Sequence, residues 1–462
     1  MKRLVVVSNR VQSPTATRAS AGGLAVGVLD ALRASGGIWF GWSGEVGDRV
    51  DTAPKVQKSG RITTITVDLQ RDEYEGYYGG FSNSTLWPLC HYRLDLASFD
   101  RNWYMSYRKV NQIFAERLGE YVRDDDLIWI QDYHLLPLAH ELRQIGIRAR
   151  MGFFLHIPFP APEIWVALPW HEALVRALCE CDVIGFQTEI DAHNFRAYVE
   201  REGIGEALND TQMLVDGRKV DVDAYPIGID VDSFVEMANS PEARRQGQRL
   251  RRSLMASELI IGVDRLDYSK GIDERLRAFE ALLSNYPQHR GRVTYVQVSA
   301  PSREDVDEYV HIRHQVEQIS GRINGKFGEF DWVPLRYINR SFSRRTLAGF
   351  FRLSLIGLVT PLRDGMNLVA KEYVAAQDPE EPGVLVLSRF AGAATRMEGA
   401  LIVNPYDIEG VADSMHRVLT MPLEERRDRW RTLMTAVRQD DITTWRKAFV
   451  ARLAGEREGV NA

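Results

Sequence analysis

The 462-residue sequence predicts an α/β fold of two doubly wound halves facing one another across a cleft. Three observations predict it. Short apolar, β-branched runs recur along the chain and read as parallel strands buried on both faces. Helical segments alternate with those runs, and polar or glycine-containing turns follow the strand ends, where open α/β sheets gather their ligands. Finally, the alternation restarts after a polar, Arg- and Ala-rich helical stretch, Val231 to Leu254, which places the connection between the halves nearby.

Leu4 to Val7 is the first buried strand. A polar loop from Ser8 to Ser20 opens onto Gly22-Gly23 and a helix to about Ala34, and glycines there let backbone amides approach a ligand. The spacing matches neither a dinucleotide fingerprint nor a P-loop, so a simple turn pair is the competing reading. Ile38 to Trp42 and Ile62 to Leu69 are the next strands. Tyr74 to Pro88 is aromatic-rich and glycine-broken; Tyr78 and Trp87 there fit either a core or a sugar-stacking face. The strand Asp126 to Gln131 ends at Asp132, before a helix from Leu135 to Gly146, and the strand from Arg150 ends at His156. Asp132 suits chemistry if those strands are neighbours, or else a helix cap. His156 suits chemistry or a satisfied buried histidine. Asp182 to Phe186 and Val222 to Ile227 complete the first half.

The second half opens with the strand Leu259 to Val263, a loop carrying Arg265 and Lys270, and a helix from about Asp273. Two cations at a strand's carboxyl end suit a departing diphosphate. Val293 to Ser299 is followed by Arg303. The segment Leu355 to Tyr373 organises this half: a buried strand, a turn holding Asp364, and a helix beginning near Asn367, with Glu372 about one turn in. Free N–H groups and a positive dipole end are offered there to an anion, with a carboxylate on either side to accept from a polyol. An ordinary capped junction is the alternative. Val384 to Leu387 and Ala400 to Val403 finish the sheet, and a helix spans about Ile442 to Leu453.

Composition is that of a soluble globular protein, 45% hydrophobic and 26% charged. A net charge of −5 argues against a nucleic-acid scaffold. Cys90, Cys179 and Cys181 read as buried free thiols, too sparse for a disulfide framework or zinc. The Leu4 to Val7 run is too short for a signal peptide or membrane span, so a cytoplasmic protein without nucleic-acid or membrane partners is expected.

Taken together, the segments Val5-Val6-Val7-Ser8-Asn9-Arg10, Ser20 to Leu24, Trp39 to Gly44, Ile130 to Leu136, Phe153 to Pro160, Arg265 to Gly271 and Asp364 to Glu372 resemble the trehalose-6-phosphate synthases. These are retaining glycosyltransferases of the two-domain GT-B fold. The resemblance runs nearly end to end and implies Rossmann-like domains: an acceptor-binding one at 1–235, a nucleotide-sugar-binding one at 236–440, and a helix over 441–462 for which packing on the first domain is one option. It implies glucose transfer from UDP-glucose to glucose 6-phosphate, giving α,α-trehalose 6-phosphate and UDP, and a homodimer or homotetramer. Arg265 and Lys270 would hold the donor diphosphate, with Gly22 and Gly23 closing over it. Asp364 and the amides of Gly365, Met366, Asn367 and Leu368 would hold the donor glucose, Leu368, Val369 and Glu372 the nucleotide end with Glu372 on the ribose, and Phe342 would lie by the base. Arg10, Tyr78, Asp132 and Arg303 look like the acceptor set, lined by Trp87, and His156 like the histidine near the reacting carbon. Gln131 departs from the family's frequent His. No Asp-x-Asp metal clamp lies in the segments that carry the resemblance, so turnover without a metal ion or other cofactor is expected, as is a front-face route in which the leaving phosphate helps deprotonate the acceptor. Rival readings are a GDP- or ADP-glucose user, a cyclitol-joining relative, and a catalytically silent regulatory subunit.

Overall fold

The structure, a computed structural model, describes residues 2–11, 28–29, 31–33, 35–48, 53–254, 257–302 and 307–456. The chain divides into two compact units, Met1–Pro226 with Thr443–Ala462, and Ile227–Ile442.

Among the described residues of the first unit, one sheet of ten strands forms: β1 (Leu4–Arg10), β2 (Gly37–Gly47), β3 (Lys55–Ser59), β4 (Ile62–Gln70), β5 (Leu127–Gln131), β6 (Arg150–Phe154), β7 (Val183–Phe186), β8 (Gly205–Asn209), β9 (Gln212–Val215) and β10 (Arg218–Ala224). Their order is β3-β4-β2-β1-β5-β6-β7-β10-β9-β8. The seven central strands pair in parallel, and β3, β9 and β8 add antiparallel edges. Val5, Val6 and Val7 are wholly buried, as a strand covered on both faces requires.

The second unit holds β11 (Glu258–Arg265), β12 (Val293–Ala300), β13 (Leu335–Ile338), β14 (Ile356–Val359), β15 (Val384–Ser388) and β16 (Leu401–Val403). Their order is β13-β12-β11-β14-β15-β16, parallel throughout. Counted from the first strand of the unit, this is 3-2-1-4-5-6, the order of dinucleotide-binding α/β sheets. The chain winds one way from β11 and then returns to build the other half from β14. The parallel centre of the first unit repeats the same logic around β1 and β5.

Several local expectations shift. Val231 to Leu254 is two helices, Val231–Asn239 and Pro241–Ser253. Ser240 ends the first and caps the second through its hydroxyl, which accepts from the Ala243 N–H, and Pro241 starts the new helix. Val231, Phe234 and Ala238 are buried, and this helix packs against Leu368–Ala376. The boundary expected at 235 therefore falls inside an element of the second unit. Pro137 delays the helix expected from Leu135: a 3-10 turn at Tyr133–Leu135 precedes a helix at Leu138–Gln144. The strand expected over Val222 to Ile227 sits earlier, at β10. The glycine-broken aromatic stretch winds as a wide helix, Glu75–Leu86, on the helix Arg101–Gly119. The last helix, Ile442–Ala454, puts Trp445 and Phe449 against Trp129, with ring centroids 4.9 and 5.0 Å away. All three cysteines are buried and free. Among the described residues no helix is long and apolar enough to cross a membrane.

Candidate active site

In the first unit the strand order reverses between β1 and β5, and the predicted residues stand at that edge. Arg10 ends β1, Asp132 follows β5 and His156 follows its neighbour β6. Asp132 holds φ 75° and ψ 167°, a conformation that a residue with a side chain seldom adopts. Two backbone bonds pin it: its N–H donates to Phe154 O at 2.8 Å, and its carbonyl accepts from Leu135 N at 3.1 Å. Its carboxylate does not cap the following turn but accepts the His156 backbone N–H at 3.1 Å. The His156 ring lies between two amides, with Nε2 2.8 Å from Gln131 Oε1 and Nδ1 3.4 Å from Gln187 Nε2. An amide oxygen only accepts, so Nε2 carries the proton in this arrangement. Burial holds the imidazole pKa down, to about 3. The ring is neutral at working pH, and its one N–H is spent on Gln131. The two amides thus hold the ring in place, while the backbone N–H of His156 meets the Asp132 carboxylate.

Aromatic packing sets the other wall. Tyr78 stacks on Tyr74 (5.3 Å) and His134 (5.8 Å) and meets Trp42 at 6.2 Å. The same Trp42 carries the Arg10 guanidinium 5.6 Å from its ring centroid. Arg10 and Tyr78 thus share one indole. Trp87 is only 4% exposed and packs against His91 and Tyr133.

In the second unit the reversal falls between β11 and β14. Arg265, exposed, ends β11. The loop after it is braced by Asp267, which accepts the Ser269 N–H at 2.9 Å and the Tyr309 hydroxyl at 3.0 Å. Gly271 then turns the chain into the helix Ile272–Asn285 at φ +63°, where a Cβ would lie 2.6 Å from Thr360 O. This seats Lys270, 7% exposed, so that Nζ donates to Asp364 Oδ2 at 2.6 Å. Asn367 Nδ2 donates to the same oxygen at 3.0 Å, and Asn367 Oδ1 caps the helix Leu368–Ala376 by accepting from Ala370 N. Gly365 and Met366 make the turn between them, held where Met366 O accepts from Ala393 N. Leu368 and Val369 form the first helical positions. Lys270, Asp364 and Asn367 are thus one bonded cluster at a helix N-terminus, which is how an anion site is built. Farther along that helix, Glu372 Oε1 accepts from Arg344 at 2.8 Å; burial raises the Glu372 pKa while Arg344 opposes it. Phe342, two residues before Arg344, meets Phe350 edge-on at 5.5 Å and carries the Arg340 guanidinium on its face. Gly22, Gly23 and Arg303 lie outside the described residues.

Sequence reasoning missed three supports. Arg275, 1% exposed, donates to Asp264 (2.5 Å), Thr360 Oγ1 (3.0 Å) and the Lys270 carbonyl (3.0 Å), fixing the cationic loop to both switch-point strands. Its signal was a charge on the apolar stripe Ile272, Leu276, Phe279, Leu283. Arg344 announces itself only as a cation in a helix's first turn, against the dipole. Gln187 carries no local signal. Among the described residues no group of three or more His, Cys, Asp and Glu is placed to hold a metal ion.

Two such sheets, each with its polar groups at the strand-order reversal, are the scaffold of a GT-B glycosyltransferase. Residues 2–455 match the model of glycosyltransferase family 20, and the chain belongs to that family. It is 51% identical over 461 residues to the trehalose-6-phosphate synthase of Sinorhizobium fredii, covering 99% of each chain. A crystal structure of the UDP-forming α,α-trehalose-phosphate synthase of Burkholderia xenovorans, in complex with glucose-6-phosphate, is 49% identical with a TM-score of 0.94 (98% of this chain, 99% of that one). A trehalose-6-phosphate structure from E. coli bound with UDP-2-fluoro glucose is 48% identical with a TM-score of 0.93, over the same shares.

Proposed function

We propose that this chain moves glucose from UDP-glucose to glucose 6-phosphate, releasing UDP and forming α,α-trehalose 6-phosphate. The observation that carries the reading is the buried Lys270–Asp364–Asn367 cluster at the second unit's switch point. Both substrates are phosphorylated, and the chain is acidic overall, so its cations must be concentrated where phosphates bind. In this reading Lys270 and Arg265 neutralise charge as it builds on the departing β-phosphate. Asp364 accepts from donor glucose hydroxyls, Glu372 from the ribose, and Phe342 lies by the base. Gly22 and Gly23 close over the diphosphate. Arg10, Tyr78, Asp132 and Arg303 bind the acceptor, and Trp87 supports them from the core.

Retention through a covalent intermediate would need a carboxylate nucleophile at the anomeric carbon. Asp364 already accepts from Lys270 and Asn367 on one oxygen, which suits a binding group better. The front-face route fits: the bond to the departing phosphate oxygen breaks, the acceptor hydroxyl bonds to the anomeric carbon from the same side, and its proton goes to the phosphate. The cations on the diphosphate are protein side chains, so turnover is proposed to need no metal ion. Assembly as a homodimer or homotetramer in the cytoplasm, without nucleic-acid or membrane partners, completes the proposal. A coupled UDP-release assay tests it. Release should require both UDP-glucose and glucose 6-phosphate and be slower with ADP- or GDP-glucose; no acceptor-dependent release would overturn it.

A further inference from the structure

Lys371 stands one residue before Glu372, is 2% exposed, and is used by nothing described so far. Its placement is expensive on two counts. An ammonium is buried, and it lies near the N-terminus of Leu368–Ala376, where the helix dipole opposes a positive charge. Its acceptors are backbone carbonyls: Nζ donates to Ile227 O at 2.9 Å and to Asp440 O at 3.5 Å. Those two carbonyls belong to the segments by which the chain enters and leaves the second unit, at Ile227 and Ile442. The segments run side by side. Ile442 N donates to Ile229 O at 3.1 Å, and Gly228 approaches so closely that a Cβ there would lie 1.9 Å from Asp440 O. A methionine or leucine would fill the same space without the charge, so packing alone does not account for a lysine.

We propose that Lys371 is a positioning residue that ties the donor-binding helix to the two crossing segments, so that nucleotide binding orders the points where the chain passes between its units. The proposal rests on the donor-site reading of Glu372 and its helix. Ordering of Leu368–Ala376 by a bound nucleotide would be passed through one ammonium to Ile227 and Asp440, and from there to the Ile229–Ile442 hydrogen bond.

Hydrogen exchange of the full chain with and without UDP separates the possibilities. In the wild type, UDP should slow exchange both in the helix from Leu368 and at residues 227–230 and 439–443, by about tenfold at Ile442. In Lys371→Met the slowing in the helix should persist while the slowing at the crossing segments is lost, and Lys371→Arg should restore part of it. Protection of the helix without protection of the crossing segments in the wild type overturns the proposal, as does equal protection of those segments in Lys371→Met. No protection anywhere in the wild type would instead overturn the donor-site reading. If Lys371→Met does not fold, Lys371→Gln takes its place: a protected donor helix with the protection at Ile442 lost supports the coupling, and protection at Ile442 equal to the wild type's contradicts it.

Discussion

Single side chains carry the chemistry, and their protonation states follow from where they are buried. Lys270 is held against Asp364 and aimed at the switch point before any substrate arrives. Lys270→Ala should therefore lower kcat by roughly two to three powers of ten, the usual loss for one transition-state donor, and should also destabilise the fold, because the Asp364 carboxylate loses its buried partner. A near-normal kcat in steady-state assays would remove Lys270 from the leaving-group site. His156 makes the opposite kind of prediction. Its pKa is pushed below the ordinary value of about 6.5, to about 3, so between those values the unfolded chain binds a proton that the folded chain refuses. Its contribution to stability is whole above pH 6.5 and lost as pH falls toward 3, at about 1.4 kcal/mol per pH unit at most. Urea titrations from pH 7 to 4 should show a shallower decline in His156→Asn than in the wild type; equal slopes would mean the ring titrates normally. Asp132, His156, Lys270 and Asp364 were legible in the sequence because each follows a strand. The partners Gln187 and Arg344 were not, since they arrive from distant segments through folding.

At the scale of elements, the turn after β11 decides where the cations point. Gly271→Ala would force a side chain into a left-handed conformation and against Thr360 O. The conformation alone costs about 1–2 kcal/mol, and relief of the clash would shift Lys270. We expect a lower denaturation midpoint together with reduced kcat; an unchanged midpoint would show that the loop relaxes freely. The C-terminal helix makes a second test. Trp445 is 2% exposed, 4.9 Å from Trp129 and edge-on to Phe154 at 5.2 Å. Trp445→Ala should cost about 3–5 kcal/mol in chemical unfolding, and a loss under 1 kcal/mol would make the helix a loose appendage. Buried parallel strands were readable as unbroken apolar runs. The edge strands β3 and β8 were not: every residue of β3 is exposed, so no apolar face marks it. The wide helix Glu75–Leu86 escaped for a related reason, because its turns match neither the helical nor the strand period.

For the whole molecule, the sequence already showed two α/β halves, because each sheet's strands and switch-point residues are contiguous in the chain. The point of passage between units was less legible. The connection was placed near Val231 to Leu254 because the strand–helix alternation restarts after it, yet that polar stretch is two helices of the second unit, polar on one face and buried on the other. In the proposed mechanism the protein breaks and forms bonds on one face of the donor sugar, with its own cations in place of a metal. The direct test is the stereochemistry of the product, read by NMR after incubating the purified chain with UDP-glucose, glucose 6-phosphate and excess chelator. The α,α-linked disaccharide phosphate, formed in equal amount with UDP, is the predicted result. An inverted linkage, or transfer abolished by the chelator and restored by a divalent cation, would contradict it.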